Sequence, residues 1–432
     1  MDGAMGTMLQ GKGLSPGERP DVYSVTHPDI VTAINRAYVE AGADLICTNT
    51  FGTNAKKLAE TGYTVKEIVF AATACARKAC EGAQTKVMLD IGPIGEMLIP
   101  GGTLAFQEAY QIFREIVVAG EEAGADLILF ETMTDLYEVK AGVLAAKENT
   151  RLPVLTSMTF EENGRTFTGC CIESMVATLE GLGVDGLGIN CSLGPVEVLP
   201  LAHRMCELAN LPVFIKANAG LPDPGTGRYN ISAETFCEEM QAYKTLGVAG
   251  IGGCCGTNPD YIKLLADSYR GFVPPQHKRV RKSVICSAIN AVMVDQVTVI
   301  GENINPTGKK HLKEALRNSD MDYLLEQAIS QENAGAKVLD VNVGLPGTDE
   351  VSMMVSVVQA IQSVSHLPLQ LDSTRADVLE AGLRVYNGKP IVNSVNGEQE
   401  VLDKLLPICK KYGAAVVGLT LDDQGIPSSA EM

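Results

Sequence analysis

Apolar residues in this chain come in short continuous runs, and most runs are entered through a glycine. Positions 41–46 and 123–128 carry the same six residues, Ala-Gly-Ala-Asp-Leu-Ile, and related steps recur at Gly183, Gly247, Gly335 and Gly413. A glycine just past a helix end supplies the left-handed cap that lets the chain reverse. The runs that follow do not alternate with polar residues, which is how parallel strands covered on both faces look. The pattern predicts strands at 44–48, 86–91, 127–131, 153–159, 186–191, 212–217 and 248–254. Helical periodicity fills the intervals, for example at 66–80, 106–119, 136–147 and 233–246.

Seven such strands are one short of a (β/α)8 barrel. The absent first strand would precede the turn-like Asp2-Gly3-Ala4-Met5-Gly6-Thr7, so the first domain, 1–270, is expected to be a TIM-type barrel lacking most of strand 1. A linker is expected at 271–296, with the basic cluster 277–282 read as solvated and the apolar stretch 287–296 as a bridge. Beyond it the same grammar returns, with strands at 298–301, 337–342, 368–372, 390–395 and 414–421 and helices at 320–334, 349–364, 376–385 and 398–411. The expected fold is therefore α/β, two TIM-type barrels in tandem, the second (297–432) ending after about five strands.

Composition narrows the chemistry. A chain of 432 residues with 43 glycines and no tryptophan fits a two-domain α/β protein rich in tight turns. Its formal charge of −17 argues against nucleic acid or an anionic membrane as partner. No apolar run reaches the roughly 18 residues of a membrane span, and no signal peptide opens the sequence. A cytoplasmic location is expected, in which the 12 cysteines are reduced thiols or metal ligands.

Three of these cysteines stand where strands end: Cys191 at the end of 186–191, and Cys254 and Cys255 inside Gly252-Gly253-Cys254-Cys255-Gly256. Successive strand residues face opposite ways, so Cys254 and Cys255 can share a ligand only if the chain turns there, which the flanking glycines permit. Three thiolates suit a tetrahedral Zn²⁺ with one exchangeable position. The competing reading is a set of core cysteines.

In barrels the chemistry lies on the loops after the strands. There the first domain offers Asp2, Asn49, Asp90, Glu131, Asn190 and Asn218, and a carboxylate such as Glu131 or Asp2 suits a substrate ammonium. For Glu131 the alternative is an ion-paired strand end. The second domain offers carboxylates and amides, including Glu302, Asn305, Asp340, Asn342, Asp372 and Asn393, suited to the donor and acceptor edge of a flat heterocycle such as a pterin. The same residue types also populate ordinary turns. The stretch 301–310 lacks P-loop spacing, and the five histidines show no metal spacing.

Asp2-Gly3-Ala4-Met5-Gly6-Thr7-Met8, Thr48-Asn49-Thr50-Phe51, Asp90-Ile91-Gly92-Pro93, Phe130-Glu131-Thr132, Gly188-Ile189-Asn190-Cys191 and Gly252-Gly253-Cys254-Cys255-Gly256 resemble the homocysteine S-methyltransferase domain. Gly301-Glu302-Asn303-Ile304-Asn305-Pro306-Thr307-Gly308, Leu339-Asp340-Val341-Asn342, Leu371-Asp372-Ser373 and Asn393-Ser394-Val395-Asn396 resemble the pterin-binding domain. In this order the pair is similar to the N-terminal half of the cobalamin-dependent methionine synthases.

The resemblance implies that Cys191, Cys254 and Cys255 bind zinc, which activates the homocysteine thiol toward methylcobalamin. It implies that Asp2 and Glu131 hold the homocysteine amino group. It implies further that Glu302, Asn305, Thr307, Gly308, Asp372 and Asn393 line a site for 5-methyltetrahydrofolate, the ultimate methyl donor. No cobalamin-binding domain is recognisable, so the corrinoid is expected on a domain or protein in trans. Two alternatives accompany this reading: a zinc methyltransferase using a sulfonium or betaine donor, and a non-catalytic zinc- and folate-binding scaffold.

Overall fold

The computed structural model describes residues 1–432 except 16, 224, 226, 228, 276–282 and 430–432, so the basic cluster at 277–282 lies outside the described residues. The chain forms two compact units, one of Met1–Ile172 with Val184–Arg279, the other of Glu173–Gly183 with Val280–Met432.

The first unit holds a seven-stranded sheet in sequential order: β1 (Leu45–Cys47), β2 (Lys86–Ile91), β3 (Leu127–Met133), β4 (Val154–Met158), β5 (Gly186–Asn190), β6 (Val213–Ala217) and β7 (Gly250–Gly253). Every pairing between neighbours is parallel. Sequential parallel order requires a crossover after each strand, and helices supply it. Phe106–Ala123, for example, ends on Gly124 at φ 88°, the cap its sequence announces. Thr64 and Glu67 close a reciprocal capping box at the start of Val65–Ala79. Leu136–Asn149 is buried along most of its length, because Gly142 lets the Phe130 ring of β3 approach its backbone.

The sheet curls until its two edges share the first residues of the chain. Asp2 N donates to Leu45 O of β1 (3.0 Å), while Gly253 N of β7 donates to Asp2 O (3.0 Å) and the Met1 amino group donates to Ile251 O (2.7 Å). Two residues thus occupy the place where the sequence pattern calls for a strand.

The second unit contains a five-stranded parallel sheet, ordered so that β10 (Ile300–Ile304), β11 (Val338–Asn342), β12 (Leu369–Asp372), β14 (Ile391–Val395) and β15 (Ala415–Gly418) are successive neighbours. A separate three-stranded antiparallel sheet joins β13 (Gly388–Lys389), β8 (Val284–Ser287) and β9 (Ala291–Met293). This corrects the expectation of a plain linker across 271–296. Ile285 and Cys286 are buried, and their strand pairs with residues about a hundred positions downstream, a partnership with no local signature. The strand expected at 298–301 lies slightly later, which brings Glu302 and Asn303 into β10. Among the described residues no helix is long and apolar enough to cross a membrane.

Candidate functional site

The ends of β5 and β7 converge on one cluster of sulfur. Cys191 follows β5 with φ 63° and Ser192 follows it with φ 58°. Left-handed backbone is costly for side chains with a Cβ, and two such residues in succession turn the chain sharply as it leaves the sheet. β7 ends at Gly253, so Cys254 and Cys255 lie in a turn rather than in the strand, closed by Thr257 N donating to Cys254 O (3.1 Å). That turn answers the alternation problem posed by adjacent cysteines.

The Sγ atoms of Cys191, Cys254 and Cys255 all lie within 4.8 Å of one another, with Cys191 and Cys255 at 4.0 Å. Tetrahedral zinc with Zn–S bonds of about 2.3 Å places its sulfurs about 3.8 Å apart, so the donor set fits. Hydrogen bonds from Cys191 and then Cys254 hold the Cys255 thiol down to about 3, whereas Cys254, hydrogen-bonded to both others and buried, is pushed well above the usual thiol range. Cys191 is pushed up to about 11, so of the three thiols Cys255 alone leans toward thiolate, the form that ligates metal.

A buried scaffold aims these sulfurs. Asn190 is fully buried; its Oδ1 accepts from Thr132 N and Ser157 Oγ, both at 2.8 Å, and its Nδ2 donates to Thr132 Oγ1 (2.7 Å) and toward Cys254 Sγ (3.9 Å). Thr257 Oγ1 donates to Cys254 O (2.7 Å) and accepts from Ala4 N (3.3 Å), tying the turn to the N-terminal segment. A Cβ on Gly253 would fall 2.3 Å from Thr257 Oγ1, and one on Gly252 would fall 2.7 Å from Asp2 O. These approaches explain the paired glycines before the paired cysteines.

The two carboxylates expected for a substrate ammonium are both buried, and they meet over a cation that pattern reading missed. Lys216 of β6 lies 2.8 Å from Glu131 Oε2, 3.4 Å from Asp2 Oδ1 and 3.6 Å from Cys47 Sγ. Asp2 Oδ2 also accepts from Cys47 N at 2.6 Å. Burial opposes the lysine's charge, but Cys47, Glu131 and Asp2 together outweigh it and hold the ammonium well above the usual range. The signal for Lys216 was present in Val-Phe-Ile-Lys-Ala: a lysine in an otherwise apolar strand requires a buried counter-charge. Burial, then the Glu131 charge, push Asp90 upward. Among the described residues Asp90 Oδ1 and Asn218 Oδ1 are buried acceptors without a hydrogen-bond partner.

In the second unit, strand register lines up Asn342, Asp372 and Asn393 on three adjacent strands. Asn342 Nδ2 donates to Asp372 Oδ2 (2.9 Å). Beside them Asp340 accepts from Gln370 Nε2 (2.6 Å), leaves its other oxygen without a partner, and is pushed up to about 6 by burial. Burial raises Asp372 as well. Asn305 Oδ1 accepts from Thr307 N (3.1 Å), an Asx turn that fixes the loop after β10, while Thr307 and Gly308 are exposed. Glu302 is exposed on β10, and its carbonyl accepts from Lys309 Nζ (2.6 Å). The expected pterin residues thus comprise a row of Asp372 and Asn393, the loop from Asn305 to Gly308, and Glu302, whose charge adds to burial in raising Asp372.

Comparison with known proteins agrees with this division of chemistry. A family model described as Homocysteine S-methyltransferase matches residues 1–269, and one described as Pterin binding enzyme matches residues 301–430. Two relatives described as methionine synthase, from Mycobacterium leprae and Mycobacterium tuberculosis, are each 32% identical to it. The alignments take in 100% of this chain but 38% of each relative, so the chain spans well under half their length. The crystal structure of the homocysteine methyltransferase MmuM from Escherichia coli, in its metallated form, shares the fold at a TM-score of 0.55 and 24% identity, covering 62% of this chain and 95% of that one.

Proposed function

The chain belongs to the homocysteine S-methyltransferase family, and from that premise we propose that it serves methyl transfer to the thiol of homocysteine, giving methionine. The observation that carries this reading is the meeting of Cys191, Cys254 and Cys255 within 4.8 Å, sulfurs from two strand ends, in the same unit as the buried charges of Asp2, Glu131 and Lys216. In this reading the first domain (1–270) is a (β/α)8 barrel lacking most of strand 1. After a connecting stretch, the second domain (297–432) is an incomplete barrel of the same kind.

Cys191, Cys254 and Cys255 would hold a zinc ion, which supplies Lewis acidity that makes a thiol a thiolate at neutral pH. The protein's own groups do the rest. Asn190 and Thr257 keep the sulfurs converged, so little reorganisation accompanies substrate entry. Glu131 and Asp2 receive the substrate ammonium and thereby fix which thiols can present sulfur to the donor. Asp372 and Asn393, with Glu302 and the Asn305, Thr307 and Gly308 loop, would take the amino-pyrimidinone edge of 5-methyltetrahydrofolate, the ultimate methyl donor; methylcobalamin, held by a corrinoid domain in trans, would supply the methyl group to homocysteine. The protein acts in the cytoplasm, with homocysteine, the folate and that corrinoid domain as its partners.

Metal analysis tests the carrying observation. Wild-type protein is expected to hold about one zinc per chain, lost from Cys254→Ser and from Cys255→Ser. Adding homocysteine should place a fourth sulfur on the metal in the X-ray absorption spectrum. Turnover with free methylcobalamin, set against a sulfonium or betaine donor, identifies the immediate methyl source; full zinc retention in both variants would sink the assignment.

A further inference from the structure

Lys216 places a third charge among the two carboxylates of the homocysteine pocket. The residue is 2% exposed, and its ammonium is ion-paired to Glu131 at 2.8 Å and to Asp2 at 3.4 Å, so these charges satisfy one another with no substrate present. An α-amino acid brings both signs on adjacent atoms, one ammonium and one carboxylate. When that ammonium takes over Glu131 and Asp2, Lys216 is left buried with only the Cys47 sulfur at 3.6 Å, a poor replacement for two carboxylates. The substrate's own carboxylate is the anion that arrives at the same moment. A lysine head on a flexible four-carbon stem can follow it through a small rotation.

We infer that Lys216 is a specificity-determining residue that pairs with the α-carboxylate of the amino-acid substrate in exchange for its resident contacts with Glu131 and Asp2. For a zwitterion alone the exchange leaves every charge paired, Glu131 and Asp2 with the ammonium and Lys216 with the carboxylate. A thiol lacking the carboxylate strands Lys216, and a thiol lacking the ammonium gives Glu131 and Asp2 nothing in return. The inference rests on the reading of the first domain as a homocysteine site and adds to it the group that recognises the other end of the amino acid.

The test compares three thiols on zinc-loaded protein by calorimetry: homocysteine, 3-mercaptopropylamine (no carboxylate) and 4-mercaptobutanoate (no ammonium). Wild-type protein should prefer homocysteine to 3-mercaptopropylamine by roughly ten- to hundredfold, the range of a charged hydrogen bond. Lys216→Met should lose that preference while still rejecting 4-mercaptobutanoate relative to 3-mercaptopropylamine, and Lys216→Arg should restore it in part. A preference for homocysteine over 3-mercaptopropylamine that survives in Lys216→Met, with zinc retained, overturns the inference and leaves the homocysteine reading standing. Failure of the wild-type protein to bind homocysteine overturns both. Lys216→Gln, which keeps a polar head on a shorter stem, carries the same expectation if the methionine variant does not fold.

Discussion

The carboxamide of Asn190 reaches Cys254 Sγ at 3.9 Å, although the two residues stand 64 positions apart and leave different strands. Because Cys191 is the next residue in the chain, one buried side chain governs the approach of two of the three sulfurs.

Asn190→Ala should therefore weaken both the fold and the metal. The substitution strands Thr132 N and Ser157 Oγ in a buried setting, costing about 2–4 kcal/mol in denaturant unfolding. Zinc affinity, measured against a competing chelator, should fall roughly ten- to hundredfold, as for other groups that orient metal ligands.

Gly253→Ala tests the packing of the turn. The added methyl would sit 2.3 Å from Thr257 Oγ1, so either β7 or the turn must shift. Overpacking of this kind costs about 1–3 kcal/mol. Thermal unfolding of zinc-loaded protein should show the loss, accompanied by reduced metal content; a fully loaded variant of unchanged stability would contradict the tight approach.

Glu138 should impose a pH dependence on stability. Burial pushes its carboxyl up to about 7 although Oε1 accepts from Ile94 N at 2.6 Å. A raised acid favours the folded state while protonated, so its contribution is complete below about 4.5 and is lost as pH rises through about 7. Glu138→Gln keeps an acceptor for Ile94 and removes the titration. Relative to wild type, the variant should gain about 2–3 kcal/mol between pH 4.5 and pH 8 in urea unfolding. A difference that stays constant with pH would rule the group out as the cause.

Asp372→Ala should separate the two halves of the chemistry. Its loss removes the acceptor of Asn342 Nδ2 and one carboxylate of the expected pterin edge. Folate binding followed by calorimetry should weaken roughly ten- to hundredfold, the range of a charged hydrogen bond. Zinc content of the first unit should stay at the wild-type value.

The parallel strands were legible because buried strands read as unbroken apolar runs and because glycine marks each helix exit, as at Gly124. The three cysteines were legible from their positions after such runs, since strand ends of this architecture share one face. The two-residue bridge made by Met1 and Asp2 was visible only as a missing strand; which edges it joins is a matter of closure, to which local pattern is blind. The hairpin of β8 and β9 was unreadable for a related reason, its stabilising partner at Gly388–Lys389 being remote in sequence. Lys216 was passed over because periodicity classifies a strand by its majority, and one charged residue among four apolar ones does not change the class. Its burial without visible compensation was the clue.

Thr257 holds the amide of Ala4 and the carbonyl of Cys254 with a single hydroxyl. Residues 253 positions apart must therefore meet before the turn that carries Cys254 and Cys255 is complete, so the convergence of the sulfurs belongs to the whole unit and not to the segment that bears them.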